Sequence, residues 1–389
     1  MISLLTAVSV GEVFAWVGYI LVALLCLMFM IVVHEYGHFV VGRLLGFKVD
    51  QFSVGFGPAI LKYTSKKTGV LFALRCVPLG GYCAFHGETD DDSLGDDSKN
   101  CYELVETKSK KHKRARYLEN ENFNSKAPWK RILVFIAGAF FNFMSAVFLI
   151  TIFFMAYGDF VPKVNTVYQF NDTQIEQKFM EGDVITRVDG KSLYSLADAN
   201  DFAKKMMAVG DNVVVTVLRD GELVDISVRM GEYTYVNDEN ESVTQKGFGI
   251  GNFTFERIKF GFFEAFGRAF IFIFKIIGVL FATLGGVITG ALGISESLGG
   301  TITAIGSIAT LARGGFEMVM YGVCVLSATL AVMNLLPLPA LDGSHVVFTT
   351  IEWIRGKPIN RKVENMIHAV GLILLFSLTI MLDILHFVG

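Results

Sequence analysis

The amino-acid sequence predicts a polytopic α-helical membrane protein of about four spans that carries one β-rich domain outside the bilayer. Three observations predict it. Of the 389 residues, 52% are hydrophobic and only 18% charged, with a mean hydropathy of +0.50. Soluble domains carry about a quarter charged residues. Four apolar segments, about 13–33, 132–156, 317–336 and 366–388, are each long enough to cross a bilayer. Basic residues gather between them: 16 in 43–131 and 4 in 339–363, together 20 of the 34 Lys and Arg. Short loops rich in Lys and Arg face the cytoplasm, so both are placed there and 157–260 outside. A net charge of −3 is spread too unevenly to say more; the lipid bilayer is an expected partner, and nucleic acid is not.

The first segment (1–42) has no basic residue before Arg43, and its apolar run exceeds a signal-peptide core. It is therefore expected to be a retained span with its N-terminus outside. The cytosolic loop 43–131 includes a β-rich stretch (52–85) and a charged linker (88–124). The linker holds an acidic run, ETDDDSLGDD at 88–97, and a basic run, KSKKHKRAR at 108–116. It reads as solvated chain whose basic part could touch anionic headgroups.

The second span (132–156) leads into 157–253. There GDVITRVDG (182–190) reads as a strand entering an Asp-Gly turn, and SLADANDFAKKMMAVG (195–210) as an amphipathic helix. NVVVTVLRDGELVDISVRM (212–230) reads as a hairpin turning at Asp220-Gly221. This order resembles a PDZ domain. In 254–316, Phe260, Phe262, Phe263, Phe266 and Phe270 interleave with Arg257, Lys259, Glu264 and Arg268, which suits an interfacial or re-entrant helix. A third span (317–343), a cytosolic loop (344–365) and a fourth span (366–389) complete the chain. Cys26, Cys76, Cys83, Cys101 and Cys324 show no paired spacing, so neither a disulfide framework nor a zinc knuckle is expected.

The apolar run Val13 to Val33 ends in His34-Glu35-Tyr36-Gly37-His38. Ionisable groups at a span edge are costly unless paired or metal-bound. On a helix the two histidines, at i and i+4, share a face and can grip one ion. Glu35, rotated by about 100°, is left to act as a base on a nearby water. That is the mechanics of H-E-x-x-H zinc hydrolases. Catalytic zinc needs a third ligand. Asp342, in MNLLPLPALDG (333–343) at the same expected membrane depth, is the leading candidate; Glu317 and Glu352 are the alternatives. Pro337 and Pro339 end helical structure, and with Asn334 they are candidates to line an unwound substrate.

On these residues the chain resembles the bacterial site-2 proteases, intramembrane zinc metalloproteases with an inserted PDZ domain. The motifs that carry the resemblance are HEYGH (34–38), FSVGFGP (52–58), PLGGY (78–82), FNSKAPWKRILVFIAGAFFN (123–142), the PDZ segment and NLLPLPALDG (334–343). It implies zinc held by His34, His38 and Asp342, with Glu35 as the proton carrier. It also implies that 52–85 is a membrane-associated β-hairpin near the site. The substrates implied are single-span membrane proteins already trimmed outside, such as anti-sigma factors, signal-peptide remnants or pheromone precursors, with the PDZ domain as a size filter. The location implied is the bacterial plasma membrane, with the site near its cytoplasmic face; the oligomeric state is left open.

Departures from the family pattern are Ser344 after Asp342-Gly343, Ala139 after Gly138, LGGTIT at 298–303 and the domain entry KFMEGD. A rival reading is a non-catalytic PDZ scaffold with a structural zinc. A metal transporter fits poorly, because no acidic or histidine-lined path crosses a full span.

Overall fold

The computed structural model describes residues 10–88, 122–193, 202, 206, 212–237, 240–293 and 299–388. The linker runs at 89–97 and 108–116, and Cys101, lie outside the described residues. The chain forms two compact units, Met1–Ala146 with Ile276–Gly389, and Val147–Lys275.

Helix α1 (Val10–Leu44) carries the first apolar run and continues through HEYGH without a break. At 1.5 Å per residue it is about 52 Å long, well beyond a bilayer core, so its last turns stand at one end. Strands β1 (Val49–Thr64) and β2 (Leu71–Phe85) then form the expected hairpin, starting three residues before 52. Gln51 pairs with both Ala84 and Leu71, and Val54 with both Gly81 and Leu74. Residues 49–54 are thus flanked on both sides, and among the described residues 81–85 are paired on one side only. Two glycines bring the hairpin against α1: a β-carbon on Gly42 would strike the Phe85 ring, and one on Gly81 would meet Ile31 and Glu35. Phe47, Phe85, Phe123 and Phe135 close the core beneath it. Phe56, Ile60, Leu61 and Tyr63, toward the other end, stay exposed.

Helix α2 (Pro128–Ala156) opens on a proline, whose fixed φ and missing N–H suit a first helical position. The second unit follows. Its main sheet runs β10-β3-β4-β6-β7, with β5 paired to β4, and β8–β9 make a separate ribbon. The members are β3 (Asp159–Val164), β4 (Val184–Val188), β5 (Lys191–Ser192), β6 (Asn212–Arg219), β7 (Glu222–Arg229), β8 (Gly231–Val236), β9 (Ser242–Gly247) and β10 (Phe253–Ile258). Both predicted Asp-Gly turns are present. Asp189 and Gly190 have φ of 49° and 70°, and Asp220 and Gly221 have 51° and 87°, the signature of tight hairpins. Of the predicted helix 195–210 only Phe202 and Met206 are described; both are helical and buried in the core with Ile185, Val215 and Val228.

The sheet reaches past 253, where the sequence placed the domain boundary. Strand β10 pairs along β3 from Phe253↔Val164 to Ile258↔Asp159, its Phe-Thr-Phe-Glu alternation having been masked by the phenylalanines that follow. Helix α3 (Phe262–Ile288), in the segment expected to be interfacial or re-entrant, is a single uninterrupted helix. Glu264 and Arg268 sit in its first two turns, and Lys275 is the only charged residue in the remainder. Arg268 is buried, donating to Asp159 and to the Leu193 carbonyl.

Among the described residues four further helices follow: α4 (Thr301–Arg313), α5 (Phe316–Leu335), α6 (Asp342–Arg355) and α7 (Arg361–Val388). Helix α4 packs Ile308 and Ala309 on Ala23 of α1. The Asp383 carboxylate of α7 accepts the first N–H groups of α4, from Ile302 and Thr303, so this α4 terminus is capped from another helix. The segment 344–365, expected as a loop, is mostly α6. Five described helices, α1, α2, α3, α5 and α7, are long and apolar enough to cross a membrane, against the four expected. Cys26, Cys76, Cys83 and Cys324 are free thiols.

Candidate metal centre

Helical spacing alone places His34 and His38 side by side on α1, with their Nε2 atoms 3.2 Å apart and their rings crossed at 82°. Asp342, the first residue of α6, meets them: its Oδ2 lies 3.0 Å from Nε2 of His34 and 3.4 Å from Nε2 of His38. A tetrahedral zinc with bonds of about 2.0–2.1 Å keeps its ligand atoms about 3.3 Å apart. The three atoms match that spacing. Oδ2 of Asp342 is buried and has no aligned hydrogen-bond donor. An orphaned carboxylate oxygen between two imidazoles is costly, and a cation among the three removes the cost.

The groups behind the ligands suit the same ion. His38 donates from Nδ1 to the Val134 carbonyl at 2.7 Å, leaving the Nε2 lone pair toward Asp342. The side-chain amides of Asn142 and Asn334 each come within 3.4 Å of His34 Nδ1. Asn142 Oδ1 is buried without a partner, and turning that amide by half a turn would give a metal-bound His34 the acceptor it needs. Helix α2 approaches at Gly138, where any β-carbon would collide with both imidazoles, and Gly37 of α1 lies equally close to the Ala137 carbonyl. Gly138 and Asn142 escaped the sequence reading. The signal for Asn142 was available, since it is the only side-chain amide in the second span.

The corner between α5 and α6 delivers Asp342. Helix α5 ends at Leu335, so the Leu-Asp-Gly motif begins a new helix and does not lie inside the third span. Ala340 takes a left-handed φ of 73°, a strained conformation costing about 1–2 kcal/mol for a residue with a β-carbon. Gly343 touches the carbonyls of Leu335 and Leu336, leaving no room for a side chain. Ser344, the departure from the family pattern, donates its hydroxyl to the Leu341 carbonyl at 2.6 Å and ties the turn.

These groups surround a cavity of about 420 Å³. His34, Glu35, His38, Asn334 and Asp342 line it, with Gly80–Cys83 of β2 along one wall. Glu35 is buried at 8% exposure on the wall next to Gly81. Glu88 lines the cavity too, its carboxyl pushed by burial above the ordinary glutamate range. Pro337 and Pro339 are not among the lining residues: Pro337 is exposed, and Pro339 packs on Gly371 of α7. They shape the corner instead. The alternative third ligands fall away on geometry. Both carboxylate oxygens of Glu352 accept from Arg131, at 2.7 and 3.2 Å. Glu317 is in the first turn of α5, about 25 Å of helix away from Asn334.

The sequence model of peptidase family M50 matches residues 22–378, nearly the whole chain. The chain belongs to peptidase family M50. This is the site-2 protease family, and the M50 chain is a zinc metalloendopeptidase and a multi-pass membrane protein. Relatives agree along its length. An Agrobacterium fabrum protein with a provisional zinc-metalloprotease name is 29% identical over 371 residues, covering 93% of this chain and 94% of its own. The zinc metalloprotease RasP of Oceanobacillus iheyensis is 28% identical over 413 residues, covering 90% and 94%. A Clostridium perfringens protein, again provisionally named a zinc metalloprotease, is 28% identical over 375 residues, covering 94% and 97%.

Proposed function

We propose that this M50 peptidase hydrolyses peptide bonds within the transmembrane segments of single-span membrane proteins, with zinc held by His34, His38 and Asp342. One observation carries the reading: two Nε2 atoms and one carboxylate oxygen converge within 3.0–3.4 Å beside a buried Glu35 on one cavity wall. Bound there, zinc supplies a Lewis acid that brings the pKa of water towards neutrality. Glu35 takes the proton from the attacking water and passes it to the nitrogen of the departing strand as the C–N bond breaks. Val134 and Asn142 hold the imidazoles in the tautomer that leaves both Nε2 lone pairs toward the ion.

Substrate binding follows from the hairpin. Among the described residues the strand segment 81–85 pairs with a strand on one side only, the Phe85 N–H donating to the Glu88 carboxylate, and Gly80–Cys83 face the cavity. An unwound substrate segment adding to the other edge gains backbone hydrogen bonds that offset those of its lost helix. Asn334 offers an amide at the same wall.

The topology proposed is N-terminus outside, with four crossings. Helices α1 and α5 both run toward the site and α2 runs away from it, so a lone crossing by α3 would invert α5. The site then faces the cytoplasm, as the loop charges require. The domain within 157–258 is read as PDZ-like and as a filter admitting substrates already trimmed outside, such as anti-sigma factors or signal-peptide remnants.

The test is Glu35→Gln in purified protein with a single-span substrate. Zinc content should stay at one per chain while cleavage falls by about 10²–10⁴. Undiminished cleavage would remove Glu35 from the chemistry. A wild-type protein that holds one zinc yet leaves a panel of such substrates intact would favour a non-catalytic scaffold.

A further inference from the structure

A second cluster of potential ligands lies behind the metal centre: His345 of α6 with Glu364 and His368 of α7. It has the wrong geometry for an ion. The His345 and His368 rings are stacked, 4.1 Å between centroids and 13° from parallel. Imidazole lone pairs lie in the ring plane, so an ion in the plane of one ring lies out of the plane of the other. The protons also disagree. Nδ1 of His368 accepts the backbone N–H of Ala340 at 3.1 Å, which puts the proton of the neutral ring on Nε2, the nitrogen buried without a hydrogen-bond partner.

That backbone bond has a different use. Ala340 is the left-handed residue of the corner and stands two positions before Asp342. One turn further along α7, Gly371 lies so close to Pro339 that a β-carbon would overlap the proline ring. The hydroxyl of Ser344, two positions after Asp342, is 3.5 Å from the same Nδ1. Helix α7 thus touches the corner just before the candidate third ligand, by one hydrogen bond at Ala340 and one close packing contact at Pro339, and approaches it again just after, at Ser344.

We propose that His368 and Gly371 are positioning residues: α7 clamps the strained corner so that Asp342 is held at zinc-binding distance before the ion arrives. His368 acts as an acceptor for Ala340, and Gly371 acts by its missing side chain. The proposal rests on the assignment of Asp342 as the third zinc ligand. It predicts that zinc affinity depends on a helix that supplies no ligand to the ion.

The experiment is a competition with a chromophoric chelator, using detergent-purified full-length protein and zinc alone as the probe. Asp342→Ala is the reference variant. His368→Leu should weaken zinc by roughly 10–100-fold, the usual effect of losing a group that orients a ligand. His368→Asn, whose side-chain carbonyl can still accept the Ala340 N–H, should recover most of that loss. Gly371→Ala, on a different residue, should weaken zinc in the same direction. Cleavage by His368→Leu should rise again with added zinc. Wild-type zinc affinity in both His368→Leu and Gly371→Ala overturns the clamp, as does an Asn variant as weak as Leu. A second bound zinc that disappears with His368→Leu overturns it in favour of a metal site. If Asp342→Ala itself keeps full affinity, the ligand assignment has failed and not the clamp alone.

Discussion

His34 and His38 reach the candidate metal centre from the last turns of a regular helix, while Asp342 reaches it from a strained corner between two helices. The difference teaches what each ligand needs. Four residues of helix put two imidazoles on one face, their Nε2 atoms 3.2 Å apart, and the Val134 carbonyl orients the second ring. The carboxylate depends on a left-handed Ala340, on carbonyls packed against Gly343, and on a neighbouring helix that accepts one backbone N–H. The pairing of the two histidines is set by helical spacing. The corner ligand is set by packing.

The bluntest way to break the comparison is to remove an imidazole. His38→Ala should abolish stoichiometric zinc and reduce cleavage to background, as read by metal analysis after dialysis and by substrate cleavage; retention of one tight zinc would place the ion elsewhere. Next in size is Gly138→Ala. Its methyl group would press on both imidazoles and should lower zinc affinity about 10–100-fold, with helix content unchanged by circular dichroism. A variant with unaltered affinity would mean that α2 yields at this point.

Asn142→Leu sharpens the helix side further. It removes one of the two amides that lie 3.4 Å from His34 Nδ1 and should weaken zinc by about tenfold, at the low end of such effects. Asn142→Asp, which keeps an acceptor oxygen, should weaken it less; the reverse order would argue against a proton on Nδ1. The smallest effect is expected from Ser344→Ala on the corner. Losing the hydroxyl bond to Leu341 should cost about 1 kcal/mol of thermal stability, with zinc retained, because the backbone contacts of Gly343 and Ala340 remain.

Local pattern made much of the fold legible. Long apolar segments announced α1, α2, α5 and α7, because a bilayer demands about 20 predominantly apolar residues whatever surrounds them. The Asp189-Gly190 and Asp220-Gly221 turns were legible for an equally local reason: both positions need positive φ. Strand β10 was missed, hidden at the start of a segment expected to be interfacial or re-entrant. Phe253, Phe255 and the phenylalanines from Phe260 onward fit an interfacial helix as well as a strand followed by a helix, and only pairing with β3 separates them. Pro337 and Pro339 were nominated for the substrate, yet the turn they make points Pro339 at Gly371. A proline's effect on the backbone can be read from sequence, but the direction its ring faces cannot.

By itself the sequence determined the two histidines and the glutamate of α1, since i and i+4 spacing needs nothing beyond the helix's own hydrogen bonds. It also narrowed the third ligand to Asp342, Glu317 or Glu352. Only the tertiary structure separates these candidates, by bringing Asp342 beside the histidines, fastening Glu352 to Arg131 and leaving Glu317 at the far end of α5. Gly138 and Asn142, and the support of His368 and Gly371 behind the corner, likewise become visible only once the helices are packed. Their roles are contacts between residues up to hundreds of positions apart, and no local period along the chain encodes such distances.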